Sequence, residues 1–355
     1  MDRRLARIRG LIREEGLDGV FISSPVNTRY FSRFTGTTGY LLITAGENLF
    51  VTDFRYTRQA KDQCPGFKVM ELPGDMWDRL NSILGEYGIK KLGFEDSFVT
   101  YRQYHKMKEK FDNVELVPMG EKADRIRMVK DAEEIGFIRT AAEISEQALR
   151  HVKPMIRPGT AEKDISTELE VFMKRAGCSG PAFSFIVASG WRSAMPHGVA
   201  SEKKIRDGDF VTIDFGGKYR GYCSDMTRTF VVGRLSPKQK EIYDIVLTAQ
   251  TEALKGISPG MIGSQADSIA RDIITKAGYG EYFGHGLGHG VGLQIHEAPT
   301  ISAKGDIALE PGMAVTVEPG IYIPEFGGVR IEDLVIITDN GIENLNQAGK
   351  ELTVL

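Results

Sequence analysis

Two stretches in the C-terminal half of the chain share one pattern, and this repeat constrains the fold more than any other feature of the sequence. Residues 208–214 (GDFVTID) and 312–318 (GMAVTVE) each place a glycine six positions before a carboxylate, with a β-branched run between them. Each is followed by a Gly-rich connection and a second strand-like segment with its own carboxylate, Asp225 in SDMTRTFVV and Glu332 in VRIEDLVIIT. We therefore predict a duplicated strand-pair unit, whose two-fold arrangement would bring four carboxylates together.

These four carboxylates, Asp214, Asp225, Glu318 and Glu332, lie within apolar strand segments. Burying a carboxylate is unfavourable unless it is paired with a cation or binds a metal. For a single residue the simpler interpretation is an outward-facing strand position, because alternate side chains of a strand point to solvent. Four such residues in two matching units, close to a histidine-rich segment, favour a metal site instead.

The histidine-rich segment is residues 285–297 (HGLGHGVGLQIHE), which holds three of the six histidines of the chain. Its glycines disfavour a helix and allow the backbone to approach other groups closely. Four carboxylates and one imidazole form an oxygen-rich ligand set that favours manganese, cobalt or iron over a thiolate zinc site. Such carboxylates can bridge two ions that activate a water, so hydrolysis is the predicted chemistry. His105 and His151 lie in charged helical contexts and are interpreted as ordinary histidines.

The pattern of elements predicts an α/β (α+β) protein of two domains. Residues 1–122 alternate short strands, at 19–24, 40–45 and 49–54, with helices, and form a small α/β domain. Asp131 and Glu134 are typical of a helix start, and the boundary is placed before that helix, which gives a second domain at 123–355. Further helices are predicted at 160–177, 236–256 and 264–277, the last two opened by Ser236-Pro237 and by Ser264 with Asp267.

Composition narrows the function classes. A length of 355 residues with 41% hydrophobic side chains can build two cores, and a net charge of -3 argues against a nucleic-acid partner. The charged N-terminal helix and the lack of an apolar run of about 20 residues indicate no membrane partner. Three scattered cysteines, Cys64, Cys178 and Cys223, favour a reducing compartment, and we expect a cytoplasmic protein.

Several blocks of the sequence resemble one known family, the M24 or pita-bread metallopeptidases, which include prolidase, aminopeptidase P and methionine aminopeptidase. The blocks are HGLGHGVGLQIHE, PAFSFIVASGWRSAMPHGVASEKKI, DFGGKYRGYCSDMTRT, VEPGIYIP and GVRIEDLV. The resemblance extends from about residue 123 to the C-terminus, and the N-terminal domain resembles a creatinase-like domain more loosely. It implies a creatinase-like domain followed by a pita-bread domain with pseudo-two-fold strand-pair halves.

The resemblance also implies two divalent metal ions, manganese before cobalt, iron or zinc. They would be bound by Asp214, Asp225, His289, Glu318 and Glu332. In this family pattern Asp214 would bind one ion, Asp225 and Glu332 would bridge both, and His289 with Glu318 would complete the other.

The same resemblance assigns five catalytic candidates. Glu318 would take a proton from the bridging water and pass it to the leaving nitrogen. His197, His285 and His296 match substrate-facing histidines that would act as donors to the scissile carbonyl. Arg330 lies two residues before Glu332, hence on the same strand face, and would orient the carboxylates.

By resemblance the substrate is a peptide with proline at its second position, and the enzyme is an Xaa-Pro aminopeptidase or an Xaa-Pro dipeptidase, a choice the sequence leaves open. The alternatives are a methionine aminopeptidase-like exopeptidase, a non-catalytic binding module on the same fold, and a creatinase-like enzyme that needs no metal. Asp53 and Arg55 in VTDFRY resemble a family segment that helps close a neighbouring subunit's site, so the resemblance implies a homodimer.

Overall fold

The computed structural model describes residues 3–71 and 74–355 and divides into two compact units, one ending at Arg127 and the other beginning at Met128. The boundary expected between residues 122 and 123 falls at the start of the last short helix of the first unit and stays a prediction. Within the described residues, no helix has both the length and the apolar character needed to cross a membrane.

The first unit is built on a mixed six-stranded sheet of order β4-β3-β2-β1-β5-β6. Its strands are β1 (Gly19–Ile22), β2 (Tyr40–Thr44), β3 (Asn48–Thr52), β4 (Lys68–Glu71), β5 (Lys91–Phe94) and β6 (Glu115–Pro118). Its helices are α1 (Arg3–Glu14), α2 (Pro25–Ser32), α3 (Thr57–Gln63), α4 (Met76–Glu86), α5 (Tyr101–Lys110) and α6 (Lys122–Arg125). All of β1 is buried, as expected for an apolar strand covered on both faces.

The second unit contains four long helices in two pairs. They are α7 (Ala132–Val152), α8 (Glu162–Arg175), α9 (Pro237–Gly256) and α10 (Gly263–Lys276). Asp131 caps α7 and Ser236 caps α9, each through a capping box. The predicted cap of α10 by Ser264 is wrong, because α10 already begins at Gly263, with Ile262 at the N-cap. Asp267 does not serve that cap, since its carboxylate accepts hydrogen bonds from Arg271.

The strands of the second unit form four sheets, of order β11-β10-β7, β12-β9-β8, β14-β13-β15-β18-β19 and β16-β17. Their bounds are β7 (Gly180–Pro181), β8 (Ile186–Ser189), β9 (Phe210–Phe215), β10 (Gly217–Tyr219), β11 (Tyr222–Cys223), β12 (Met226–Val231), β13 (Gly288–Gly290), β14 (Glu297–Ile301), β15 (Ala314–Val317), β16 (Gly320–Ile323), β17 (Gly327–Arg330), β18 (Asp333–Thr338) and β19 (Gly341–Asn344).

The predicted duplication is visible in the order of the elements. In the first half (residues 132–231) α7 and α8 precede the antiparallel pair β9 and β12, and in the second half (residues 237–344) α9 and α10 precede the antiparallel pair β15 and β18. Two apolar cores follow the two halves, one with Val211 beside α8 and one with Val315 beside α9 and α10, and Phe210 and Val231 of the first half join the second core. The cores hold the strand pairs in place, and the predicted carboxylates lie at the ends of those strands.

Candidate metal centre and active site

The four predicted carboxylates occupy matching places in the two halves. Asp214 lies near the end of β9 and Glu318 directly follows β15, while Asp225 directly precedes β12 and Glu332 directly precedes β18. The fifth predicted ligand, His289, lies in β13, which pairs with β15. The structure places all five side chains along one cavity of about 430 Å³.

Three of these five side chains lie close enough together to hold one ion. One ligand atom from each of Asp225, His289 and Glu332 lies within 4.8 Å of the others, a spacing that a shared metal ion would allow. Glu318 Oε1 lies 3.3 Å from His289 Nε2, which in turn lies 3.7 Å from Asp225 Oδ2. Asp214 belongs to the same cavity wall, where its Oδ2 accepts a 2.6 Å hydrogen bond from Arg330.

The buried oxygens of this cluster fit a divalent cation. Asp225 is 4% exposed and Glu332 is 1% exposed, so both carboxylates are removed from water. Oδ1 of Asp214 and Oδ1 of Asp225 are buried and have no hydrogen-bond partner, although buried carboxylate oxygens are normally paired. Oxygen and imidazole donors of this kind are the ligands that hard or borderline divalent metals prefer.

The electrostatics of the cluster lead to the same conclusion. Burial raises the pKa of Asp225 well above its usual value, and the neighbouring Glu332 carboxylate raises it further. Burial and the Glu318 carboxylate do the same to the pKa of Glu332. Burial alone would raise the pKa of Glu318, but His289, together with His285 and Arg330, outweighs it and lowers that pKa to about 2. The crowded negative charge favours a cation between the two halves.

Arg330 is buried beside this cluster and contacts both halves. Its Nη2 donates to Asp214, its Nη1 to the Tyr322 hydroxyl at 2.9 Å, and its Nε to Thr227 Oγ1 at 3.1 Å. The Thr227 hydroxyl donates onward to Glu332 Oε2 at 2.6 Å. The guanidinium therefore touches one predicted ligand directly and a second through Thr227, and its orienting role stays a prediction.

Sequence reasoning missed three hydroxyl residues of this site. The Thr227 hydroxyl donates to Glu332. The Tyr322 hydroxyl lies between Arg330 and His285. The Thr316 hydroxyl donates to Glu318 Oε1 at 3.0 Å and accepts from the backbone N–H of His289 at 3.0 Å. Strand alternation could have found Thr316, which lies two residues before Glu318 and hence on the same face. No comparable signal identifies Tyr322.

The three predicted substrate-facing histidines line the same cavity. His285 Nε2 lies 2.8 Å from the Tyr322 hydroxyl, and burial lowers the pKa of His285. The ring of His296 lies 4.3 Å from that of His289, and burial followed by the His289 charge lowers the pKa of His296. His197 is exposed and reaches the cavity from the loop after β8. The rest of the wall is largely apolar and includes Phe183, Ile186 and Ile295.

The glycines of the histidine-rich segment are needed for close packing. A Cβ at Gly288 would collide with the backbone carbonyl of Thr316, and one at Gly290 would collide with the carbonyl of Ala298. Only glycine lets β13 lie close enough for His289 to reach the carboxylates.

The other residues singled out in the sequence lie elsewhere. Asp53 and Arg55 form a bidentate pair on the surface of the first unit, and the guanidinium lowers the pKa of Asp53. The ring of His105 lies edge-on to that of Tyr101, with 4.3 Å between their centroids, and His151 Nε2 lies 2.7 Å from Glu168. The three cysteines are free and buried.

Comparison with known proteins assigns both parts of the chain. Residues 136–339 match the model of metallopeptidase family M24, and residues 4–129 match that of the creatinase/prolidase N-terminal domain. The solved structure of an Xaa-Pro dipeptidase from Bacillus anthracis is 49% identical, with a TM-score of 0.97, and the match covers 99% of each chain. The Xaa-Pro dipeptidase of Pyrococcus furiosus is 43% identical over 99% of this chain and 100% of its own. The X-Pro aminopeptidase structure from Thermotoga maritima MSB8 is 41% identical, with a TM-score of 0.90, over 97% of this chain and 100% of that one.

The matched region contains all five predicted ligands and the four other catalytic candidates, and the match extends over both predicted domain types. The expected fold class, a creatinase-like domain followed by a pita-bread domain, is thereby confirmed. Family membership makes the protein a metallo-exopeptidase that uses divalent metal ions. With a carboxylate and imidazole cluster that fits such ions, this chain belongs to metallopeptidase family M24.

Proposed function

We propose that this protein hydrolyses the bond between an N-terminal residue and a following proline, using two divalent metal ions. The observation that carries the proposal is a single cavity lined by four carboxylates and four histidines, in which buried oxygens of Asp214 and Asp225 have no hydrogen-bond partner. Relatives whose names state Xaa-Pro dipeptidase or X-Pro aminopeptidase activity support the choice of substrate.

Five side chains would hold the ions: Asp214, Asp225, His289, Glu318 and Glu332. Asp225 and Glu332 would contribute to both ions, because each carboxylate has two oxygens. When bound, the ions supply Lewis-acid polarisation of the scissile carbonyl and lower the pKa of a water molecule. The oxygen-rich donor set favours manganese, with cobalt, iron and zinc as alternatives.

The protein's own groups move the protons and position the substrate. Glu318 accepts the proton of the attacking water and returns it to the leaving proline nitrogen, a role suited to a carboxylate at the cavity wall. His197 approaches the cavity from the loop after β8, and His285 and His296 approach it from the histidine-rich segment on either side of β13. All three donate to the carbonyl oxygen as it gains negative charge. Arg330 keeps Asp214 in position through their 2.6 Å hydrogen bond.

The apolar part of the cavity suits a proline ring. A bond to proline is a tertiary amide without an N–H, so an enzyme cannot grip it through that donor and must recognise the ring by shape. Phe183, Ile186 and Ile295 offer an apolar wall close to the three histidines. The family resemblance supports a homodimer, which light scattering would test. The three scattered cysteines favour the cytoplasm, which cell fractionation would test.

The decisive experiment compares Ala-Pro with Ala-Pro-Ala, using purified protein supplied with manganese. Cleavage of Ala-Pro alone would identify an Xaa-Pro dipeptidase, and cleavage of Ala-Pro-Ala as well would identify an Xaa-Pro aminopeptidase. Ala-Ala-Ala and Met-Ala-Ala serve as controls. A preference for Met-Ala-Ala would refute the proline assignment, and no cleavage of any of these peptides would refute the catalytic proposal.

A further inference from the structure

One wall of the cavity is an exposed loop whose position needs an explanation. The loop runs from Gly190 to Ala200, between β8 and Ser201, and contributes Pro196, His197 and Val199 to the cavity. Trp191 and Met195 within it are 48% and 42% exposed, so little apolar burial holds the loop in place. A histidine that acts on substrate must nevertheless be held within a fraction of an ångström.

Glu162, the first residue of α8, joins the two ends of this loop. Its side chain is fully buried. Oε1 accepts hydrogen bonds from the backbone N–H of Ser189 at 2.7 Å and from its hydroxyl at 2.8 Å. Oε2 accepts from the backbone N–H of Ser201 at 3.1 Å and from its hydroxyl at 2.6 Å. One carboxylate therefore holds the residue before the loop and the residue after it.

The same carboxylate also orients an arginine inside the loop. Arg192 Nε donates to Glu162 Oε2 at 3.0 Å, and Arg192 Nη2 donates to the carbonyl of Val199 at 2.6 Å. The backbone N–H of Val199 donates to the carbonyl of His197 at 2.9 Å. A continuous chain of hydrogen bonds thus leads from the buried carboxylate to the backbone of the cavity histidine.

The opposite side of the loop is fixed by β17. The Gly328 N–H donates to Ser193 Oγ at 2.9 Å, and Arg330 Nη1 donates to the Pro196 carbonyl at 3.3 Å. Glu162 and β17 therefore hold the loop from two sides. Charge-assisted hydrogen bonds to a buried carboxylate are among the stronger ones in proteins, which makes Glu162 the main anchor.

We propose that Glu162 is a positioning residue, which holds the loop at residues 190–200 so that His197 faces the scissile bond. This inference rests on the proposed function, since it assumes that His197 acts on the substrate. It specifically predicts that loss of the Glu162 carboxylate lowers kcat/KM only while His197 is present.

The test is a double-mutant cycle on Ala-Pro hydrolysis with Glu162→Gln, His197→Ala and the double variant. Glutamine keeps the size but loses the charge and one acceptor. We expect Glu162→Gln to lower kcat/KM about 10- to 100-fold, mostly through kcat, because a small misplacement of a catalytic group costs a factor of this order. In the His197→Ala background we expect no further loss, because the two changes remove the same contribution. An equal loss in both backgrounds, or no loss in either, would overturn the proposal.

Glu146→Gln is the matched control, because Glu146 is another buried helical carboxylate that accepts backbone N–H groups, those of Gln347 and Ala348. This control should leave kcat/KM close to that of the wild type. Hydrogen exchange of the Met195 and Gly198 amides, which bond within the loop, gives a readout independent of activity. These amides should exchange faster in Glu162→Gln and not in Glu146→Gln, and unchanged exchange would overturn the proposal.

Ser201→Ala provides a milder second variant should Glu162→Gln fold poorly, because it removes one of the hydrogen bonds and leaves the carboxylate in place. It should lower kcat/KM less than Glu162→Gln does, again only when His197 is present; a loss that persists in the His197→Ala background would contradict the positioning role. If the wild type cleaves no Xaa-Pro peptide, the proposed function fails, and the exchange of the loop amides still decides whether Glu162 holds the loop.

Discussion

The two halves of the catalytic unit share a backbone plan but use it differently. In the first half the hairpin of β10 and β11 packs against α7, where the Tyr222 hydroxyl donates to Glu134 at 2.8 Å. In the second half the corresponding hairpin of β16 and β17 delivers Arg330 to the cavity wall, with the Tyr322 hydroxyl between Arg330 and His285. The hairpin of the first half thus packs against a helix, whereas the corresponding hairpin of the second half helps to form the site.

Each half also supports a carboxylate of the other half. Arg330 of the second half holds Asp214 of the first, and Thr227 of the first half holds Glu332 of the second. Outside the cavity, Arg228 on β12 joins Asp333 on β18 through a buried ion pair at 2.7 Å. The arrangement of the site therefore depends on contacts between the two halves. Substitutions at the residues that make these contacts should weaken the site to different degrees.

The largest expected effect follows from removing Asp225, a carboxylate proposed to contribute to both ions. Asp225→Asn should lower kcat/KM by more than about 100-fold, because even loss of a residue that only supports a metal ligand costs 10- to 100-fold. It should also lower the metal content measured by inductively coupled plasma mass spectrometry. Asp244→Asn, at an exposed carboxylate paired with Lys240, is the control and should change neither value. Full metal content and activity in Asp225→Asn would refute the dinuclear site.

The next effect concerns stability. Arg228→Met should destabilise the protein by about 3 kcal/mol, near the lower end of the cost of breaking a buried ion pair, because Lys350 and Gln250 still contact Asp333. Urea unfolding followed by circular dichroism would measure it.

Arg234→Met is the matched control for that experiment. Its guanidinium also contacts one aspartate at 2.8 Å, but its side chain is 92% exposed, so the loss should stay below about 1 kcal/mol. Equal unfolding midpoints for the two variants would show that the Arg228 pair does not join the halves.

A smaller effect is expected from the two threonines that support carboxylates. Thr227→Val and Thr316→Val should each lower kcat/KM by about 10-fold, because each removes a hydroxyl that orients Glu332 or Glu318. The serine variants keep the hydroxyl and should retain most activity. If the valine and serine variants of one position behave alike, its hydroxyl does not support the site.

The sequence predicts those parts of the site that depend on residues close together in the chain. A carboxylate at the end of a β-branched run and a histidine among glycines can be identified within a dozen residues, which is how the four candidate carboxylates and the histidine-rich segment were identified. The family resemblance then selected His289. Helices such as α9, with a serine cap and a proline at the first position, are equally local.

The parts that were missed depend on the pairing of distant segments. Tyr322 reaches His285 across 37 positions, and Glu162 reaches Ser201 across 39. Neither residue has a neighbouring pattern that indicates its partner. Ser264 shows the opposite error. Its local pattern is that of a good cap residue, but α10 begins before it, at Gly263, with Ile262 at the N-cap. Local chemistry thus predicted the candidate ligands, and strand pairing and loop packing decided which residues support them.

The smallest effect compares the first helix of each half. Asp131→Ala and Ser236→Ala should each destabilise the protein by about 1 kcal/mol, because both side chains accept a backbone N–H at their helix starts. Asp131→Ala should cost somewhat more, since its carboxylate also interacts with the positive end of the helix dipole. Adding salt should narrow that difference, because the charge interaction of the partly exposed Asp131 is screened and a neutral hydroxyl cap is not. Urea midpoints at low and high salt would measure this difference in stability. If salt does not change the difference, hydrogen bonding alone stabilises the starts of both helices.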